Sequence, residues 1–67
     1  MASLTHKLET LAAKRAASQR AVVKVAGVDH NFVSVQWGGA SPLVCLELAG
    51  VTVCKRAAEW RRLGAKL

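Results

Sequence analysis

Leu43-Val44-Cys45-Leu46-Glu47-Leu48-Ala49-Gly50-Val51-Thr52-Val53-Cys54 admits two readings. Ser41-Pro42 just before it is a good helix start, with Ser as cap and Pro at the first helical position. A helix over this stretch would be apolar on every side and would carry Gly50 in its middle. A hairpin resolves the pattern. With Ala49-Gly50 as a two-residue turn, Val44, Leu46, Leu48, Val51 and Val53 fall on one face. Cys45, Glu47, Thr52 and Cys54 fall on the other. That strict alternation is the signature of half-buried strands, so the hairpin is the expectation. Its weak point is Ala49, because a primed turn forces this residue to positive φ.

The same register has a consequence for the cysteines. Cys45 faces Cys54 in a non-hydrogen-bonded pair, with Cα atoms ~4.5 Å apart. That is the short edge of the range a disulfide accepts. Two cysteines in the chain are nevertheless far fewer than small secreted scaffolds use. MASLTHKLET lacks the apolar core of a signal peptide. The expectation is therefore a cytoplasmic, reducing setting with both thiols free.

Outward from the hairpin, Gly38-Gly39-Ala40-Ser41-Pro42 reads as a loop. Upstream of it, AVVKVAGVD and FVSVQW are dense in β-branched residues and predict two strands within residues 21–37. Asp29-His30-Asn31 is the expected three-residue connection, with Asn31 left-handed. That register sets Val25 opposite Val35 and Val23 opposite Trp37. Val23, Val25, Val33, Val35 and Trp37 would then face the core. Lys24, Ser34, Gln36, Val22 and Phe32 would face outward.

Residues 3–20 predict a helix capped by Ser3 or Thr5, with Leu4, Leu8, Leu11 and Ala12 on one face. The stripe then meets Arg15, Ser18 and Gln19, so the last turns run into solvent or against a partner. Residues 55–66 predict a short basic helix anchored through Ala57, Trp60, Leu63 and Gly64. The fold class is thus α+β: an N-terminal helix, an antiparallel sheet of about four strands in two hairpins, and a basic C-terminal helix. Residues 1–67 are expected to form a single small domain.

The chain has 67 residues, with ten Lys+Arg against four Asp+Glu and a formal net charge of +6. This length excludes doubly wound nucleotide-binding folds and barrel enzymes. With 52% hydrophobic and 21% charged residues it is not a disordered tail. Its longest apolar stretch is well short of the ~20 residues that cross a bilayer.

No catalytic constellation is visible. The acids are scattered, Ser41 has no nucleophile-elbow context, and Gly38-Gly39 is not followed by the Lys-Ser/Thr of a phosphate loop. His6, His30, Cys45 and Cys54 lack metal-ligand spacing. No enzyme activity, cofactor, metal or small-molecule substrate is expected.

The basic residues carry the functional signal. Lys14, Arg15, Arg20 and Lys24 cluster near the end of the first helix. Lys55, Arg56, Arg61, Arg62 and Lys66 cluster in the last one. His30, at the expected hairpin tip, joins them as a residue that can probe a groove. Such clusters attract phosphates by counterion release. Single-strand stacking is a poor fit on this reading, because Trp37 and Trp60 are expected in the core.

The order of elements resembles double-stranded-RNA-binding domains in outline. Gly27-Val28-Asp29-His30 with Phe32-Val33-Ser34-Val35 looks like that family's loop and strand. Lys55-Arg56-Ala57-Ala58 looks like the basic start of its last helix. The proline after the loop glycine is missing, the loop is shorter and one strand is extra. The size and helix–hairpin–helix outline also look like small phage head-completion proteins. Neither resemblance rests on a specific motif, and no family is assigned from it.

The expected function is a small basic module that contacts DNA or RNA mainly through backbone phosphates. The alternative is an assembly protein, such as a phage or plasmid-encoded structural subunit or inhibitor, acting as a homo-oligomer. A second apolar surface on Val22, Ala26, Val28 and Phe32, or the strand edges, would carry it.

Overall fold

A computed structural model describes residues 3–67. Helix α1 (Leu4–Ala16) is followed by strands β1 (Val22–Val25), β2 (Val28–Gln36), β3 (Leu43–Leu48) and β4 (Val51–Arg56). Helix α2 (Ala57–Arg62) comes last. The strands form one antiparallel meander in the order β1-β2-β3-β4. The α+β architecture expected from the sequence is the one observed. Leu8 and Leu11 of α1 and Ala57 and Trp60 of α2 share one core with Val23, Val25, Phe32, Val44 and Leu46. Both helices therefore cover the same sheet face.

The β3–β4 hairpin has the predicted register, with Leu48 paired to Val51 and Cys45 to Cys54. Ala49 and Gly50 sit at φ 50° and 79°. Positive φ at both central positions is what a type I′ turn demands, and its twist matches that of the strands. An L-residue with a Cβ pays for this conformation, whereas Asn tolerates it. Ala49→Asn is therefore expected to stabilise the domain by about 1 kcal/mol, a rise of about 4–8 °C in Tm. Thermal denaturation followed by circular dichroism checks this; an unchanged or lower Tm would show that Ala49 carries no such cost.

The first hairpin differs from expectation. Its turn is Ala26-Gly27, at φ 49° and 83°, and Val25 pairs with Val28, Lys24 with Asp29 and Val23 with His30. Asp29-His30-Asn31 is strand, not loop. The two hairpins thus use the same Ala-Gly-Val sequence at their turns, residues 26–28 and 49–51. The two-residue turn places Phe32 on the core face, where it is 1% exposed. A β-bulge follows between Phe32 and Ser34. The extra residue shifts the alternation, so that Val35, paired with Val44, also reaches the core face.

Two expectations are overturned by this register. Trp37 is not a core residue but stands 53% exposed. The proposed outer apolar surface of Val22, Ala26, Val28 and Phe32 does not exist, because Phe32 is buried and Ala26 lies in the turn. The physical reason is that burying a whole phenyl ring outweighs burying one more valine in its place. The bulge then keeps Val35 on the core face as well.

Both helices stop earlier than their composition suggests. Ser3 caps α1 by accepting from the His6 N–H at 3.1 Å. At its other end Ser18 takes φ 57°, and the Ser18 and Gln19 amides donate to the Arg15 and Lys14 carbonyls. This is a Schellman closure with Ser at the left-handed position. Helix α2 closes the same way at Gly64, φ 94°, with Gly64 and Ala65 amides donating to Arg61 and Trp60. Leu63, one residue past the helix, is exposed and not part of the anchoring face. A Cβ at Gly64 would approach the Ala26 nitrogen to 3.2 Å, so only glycine fits this closure without a shift. Ala65 then bridges Val25, and the Lys66 amide donates to Lys24, which covers the outer edge of β1.

Candidate nucleic-acid interface

Lys55 and Arg56 belong to β4 and not to the last helix. Together with Lys24 they place three basic residues in the strands, where Lys24 alone was expected. Because β1 and β4 are opposite edges of the sheet, Lys24 and the Lys55–Arg56 pair lie at different sides of the molecule.

Several of the predicted contact residues are already engaged. Arg20 and Lys24 both approach Asp29, at 3.9 and 4.0 Å. The Lys24–Asp29 pair lies directly across the first hairpin. Lys55 at the end of β4 pairs with Glu59 of α2 at 3.5 Å, four residues on. These are exposed pairs, each worth about 0–1 kcal/mol. The Arg61 guanidinium donates through Nε and Nη2 to the Leu67 carbonyl.

Arg56 has a structural task. Its Nη1 donates to the carbonyls of Gly38, at 3.3 Å, and Ser41, at 3.0 Å. It thereby ties the 37–42 loop to the start of α2. Ser41 does cap a helix, but not one that follows it in the chain. Its Oγ accepts from the Ala58 amide at 3.2 Å, and the Pro42 carbonyl accepts from Ala57. The cap of α2 is thus supplied across space. His30 is half-buried in mid-strand opposite Val23, so it is not a probing tip.

Lys14, Arg15, Arg62 and Lys66 remain exposed, with neither an ion pair nor a side-chain hydrogen bond among the described residues. Lys7 is in the same condition and was missed by sequence reasoning. Its spacing of two turns from Lys14 was the available signal. Lys7 and Lys14 border a shallow depression beside Val22, with His6 and Thr10. Arg15 lies on the other flank of α1, over a groove against β2 that Trp37 also lines. Helix α1 therefore presents free positive charge on two sides.

The cysteines are bridged: Cys45 and Cys54 form a disulfide across β3 and β4, with Cα atoms 4.0 Å apart. The expectation of free thiols is overturned by this bond; the register sets the two cysteines directly opposite each other, within bonding reach. Free thiols follow from a reducing setting, and the bridge does not accord with that expectation. Among the described residues no group of three or more His, Cys, Asp and Glu gathers to hold a metal. Among the described residues no helix is long and apolar enough to cross a membrane. No protein-family model matches the chain, and neither a curated protein nor a solved structure matches it.

Proposed function

We propose that this protein is a small basic module that binds nucleic acid mainly through backbone phosphates, with α1 as the contacting helix. The observation that carries the reading is the unpaired positive charge of Lys7, Lys14 and Arg15 on the exposed sides of that helix. Glu9 is its one acidic residue. Arg62 and Lys66, in and just after α2, are further exposed positive charges without an ion pair among the described residues. Lysine and arginine neutralise phosphates and release condensed counterions, so affinity falls steeply with salt. Such contacts position a nucleic acid without reading its sequence.

The test is binding of duplex and single-stranded oligonucleotides by fluorescence anisotropy across a salt series. The logarithm of affinity is expected to fall linearly with the logarithm of salt. The double variant Lys14→Ala, Arg15→Ala should reduce that slope by about 2 on duplex, close to one per lost phosphate contact. No binding at low salt, or binding indifferent to salt, would sink the proposal.

The assembly reading keeps one favourable observation. The edge of β1 is covered by Ala65 and Lys66, whereas β4 is the edge strand at the other side of the sheet, with Val51, Thr52 and Cys54 exposed. An uncovered edge is a template for pairing with another chain. Sedimentation of the free protein separates the two readings: a stable oligomer without nucleic acid favours assembly.

A further inference from the structure

We propose that the groove between α1 and β2 is a subsite for one unpaired base of a single-stranded nucleic acid, with Trp37 as the stacking surface and Arg15 as the phosphate contact. The proposal rests on the nucleic-acid reading above and deepens it, since phosphate contacts alone do not distinguish single strands from duplex.

The groove is an open depression of about 360 Å³. Ala12 and Ala16 on the helix side are small, which leaves the space open. Val33 and Val35 contribute the apolar wall on the sheet side, and Arg15 and Trp37 also line it. Among the described residues Arg15 is the only charged one of the lining, and no carboxylate is among them. An anionic ligand with a flat apolar face matches this combination: the aromatic plane takes the base and the guanidinium takes the adjoining phosphate.

Trp37 is placed for such a role by three features of the fold. The register that buries Phe32 leaves the indole outside the core, 53% exposed. The bulge at Val33 turns β2 and brings Val33 into the groove lining beside it. The backbone just after Trp37 is held by the Arg56 bonds to the Gly38 and Ser41 carbonyls. The chain that carries the ring is therefore tied down while the ring itself is accessible. A stacking surface held in place before the ligand arrives loses little entropy on binding. Trp60, the other indole, is 1% exposed and donates its Nε1–H to the Val44 carbonyl, so it is closed to a base.

The experiment compares a single-stranded oligonucleotide of about 12 nucleotides with its duplex, on the wild-type protein and on Trp37→Ala and Trp37→Phe. Circular dichroism and Tm confirm that each variant is folded, which the exposure of Trp37 leads one to expect. Trp37→Ala should weaken single-strand binding about 5- to 150-fold, the range for losing one stacked base. Trp37→Phe should recover most of that loss. Duplex affinity and both salt slopes should stay as in wild type. Equal single-strand affinity for wild type and Trp37→Ala, or an equal loss on duplex, would overturn the subsite while leaving phosphate binding in place. Absence of salt-dependent binding to either form would overturn the parent reading. A dimer of the free protein that Trp37→Ala dissolves would assign the groove to a second copy instead, and would also overturn the subsite.

Discussion

Trp60→Ala is expected to leave the protein largely unfolded at room temperature. Trp60 is the largest fully buried side chain and sits 1% exposed at the centre of the core. It also donates a 2.8 Å hydrogen bond from Nε1 to the Val44 carbonyl, which ties α2 to β3. Truncating a buried tryptophan costs about 3–5 kcal/mol. A single core in a domain of this length rarely supplies more than about 3–5 kcal/mol of net stability, so the loss takes most or all of it. Trp60→Phe keeps most of the apolar volume and removes the donor. It should cost less, about 1–3 kcal/mol, dominated by the vacated hydrogen bond and the residual cavity. Urea denaturation monitored by circular dichroism measures both. A Trp60→Ala protein within about 1 kcal/mol of wild type would mean that α2 does not hold the sheet face together.

Reduction of the Cys45–Cys54 bridge is the second large effect. The bridge closes the β3–β4 hairpin over a sequence separation of 9. Cross-linking a loop of this size removes enough freedom from the unfolded chain to stabilise the folded state by about 2.5 kcal/mol in the chain-entropy account. For a domain this small that corresponds to a fall in Tm of about 10–20 °C on reduction. Cys45 is 4% exposed and Cys54 is exposed, so a reductant reaches the bridge from the Cys54 side. Thermal unfolding with and without reductant gives the shift, and the double variant Cys45→Ala, Cys54→Ala should melt near the reduced protein. Mass spectrometry after alkylation without reductant should show no added mass. Two alkyl groups on the untreated protein, with a Tm indifferent to reductant, would show the thiols to be free in solution.

The same two elements show how far the sequence could be read. In the second hairpin every residue's face followed from one turn, because the alternation from Val44 to Val53 has a single solution. The Cys45–Cys54 opposition came with it. Bond formation did not, since a register fixes distance and not oxidation state. In the first hairpin the pattern had two near-equal solutions. A valine-rich strand with one phenylalanine looks alike on both faces, and local composition favoured Asp29-His30-Asn31 as the turn. The competing turn, Ala26-Gly27, needs an alanine at positive φ, which local preference disfavours. Burial of Phe32 against Leu46 tipped the choice, and that contact spans two hairpins.

The candidate site divides along the same line. That the surface would be basic was legible from ten Lys+Arg against four Asp+Glu. Which bases are free was not, because Arg56 holds a loop, Arg61 binds the Leu67 carbonyl and Asp29 draws Arg20 and Lys24. These partners are distant in the chain or set by register. Trp37 was assigned to the core by the expected register and by its size, and the observed register leaves it in the groove beside Arg15.

By itself the sequence determined the class of fold, the capped start of α1, the second hairpin and the sign of the surface charge. Each follows from local periodicity, from capping chemistry or from composition. The tertiary structure alone decided the first hairpin's register, the bulge, the bridge, the cap that Ser41 lends to α2 and the exposure of Trp37. Each of these depends on a contact between elements that only a packed core brings together.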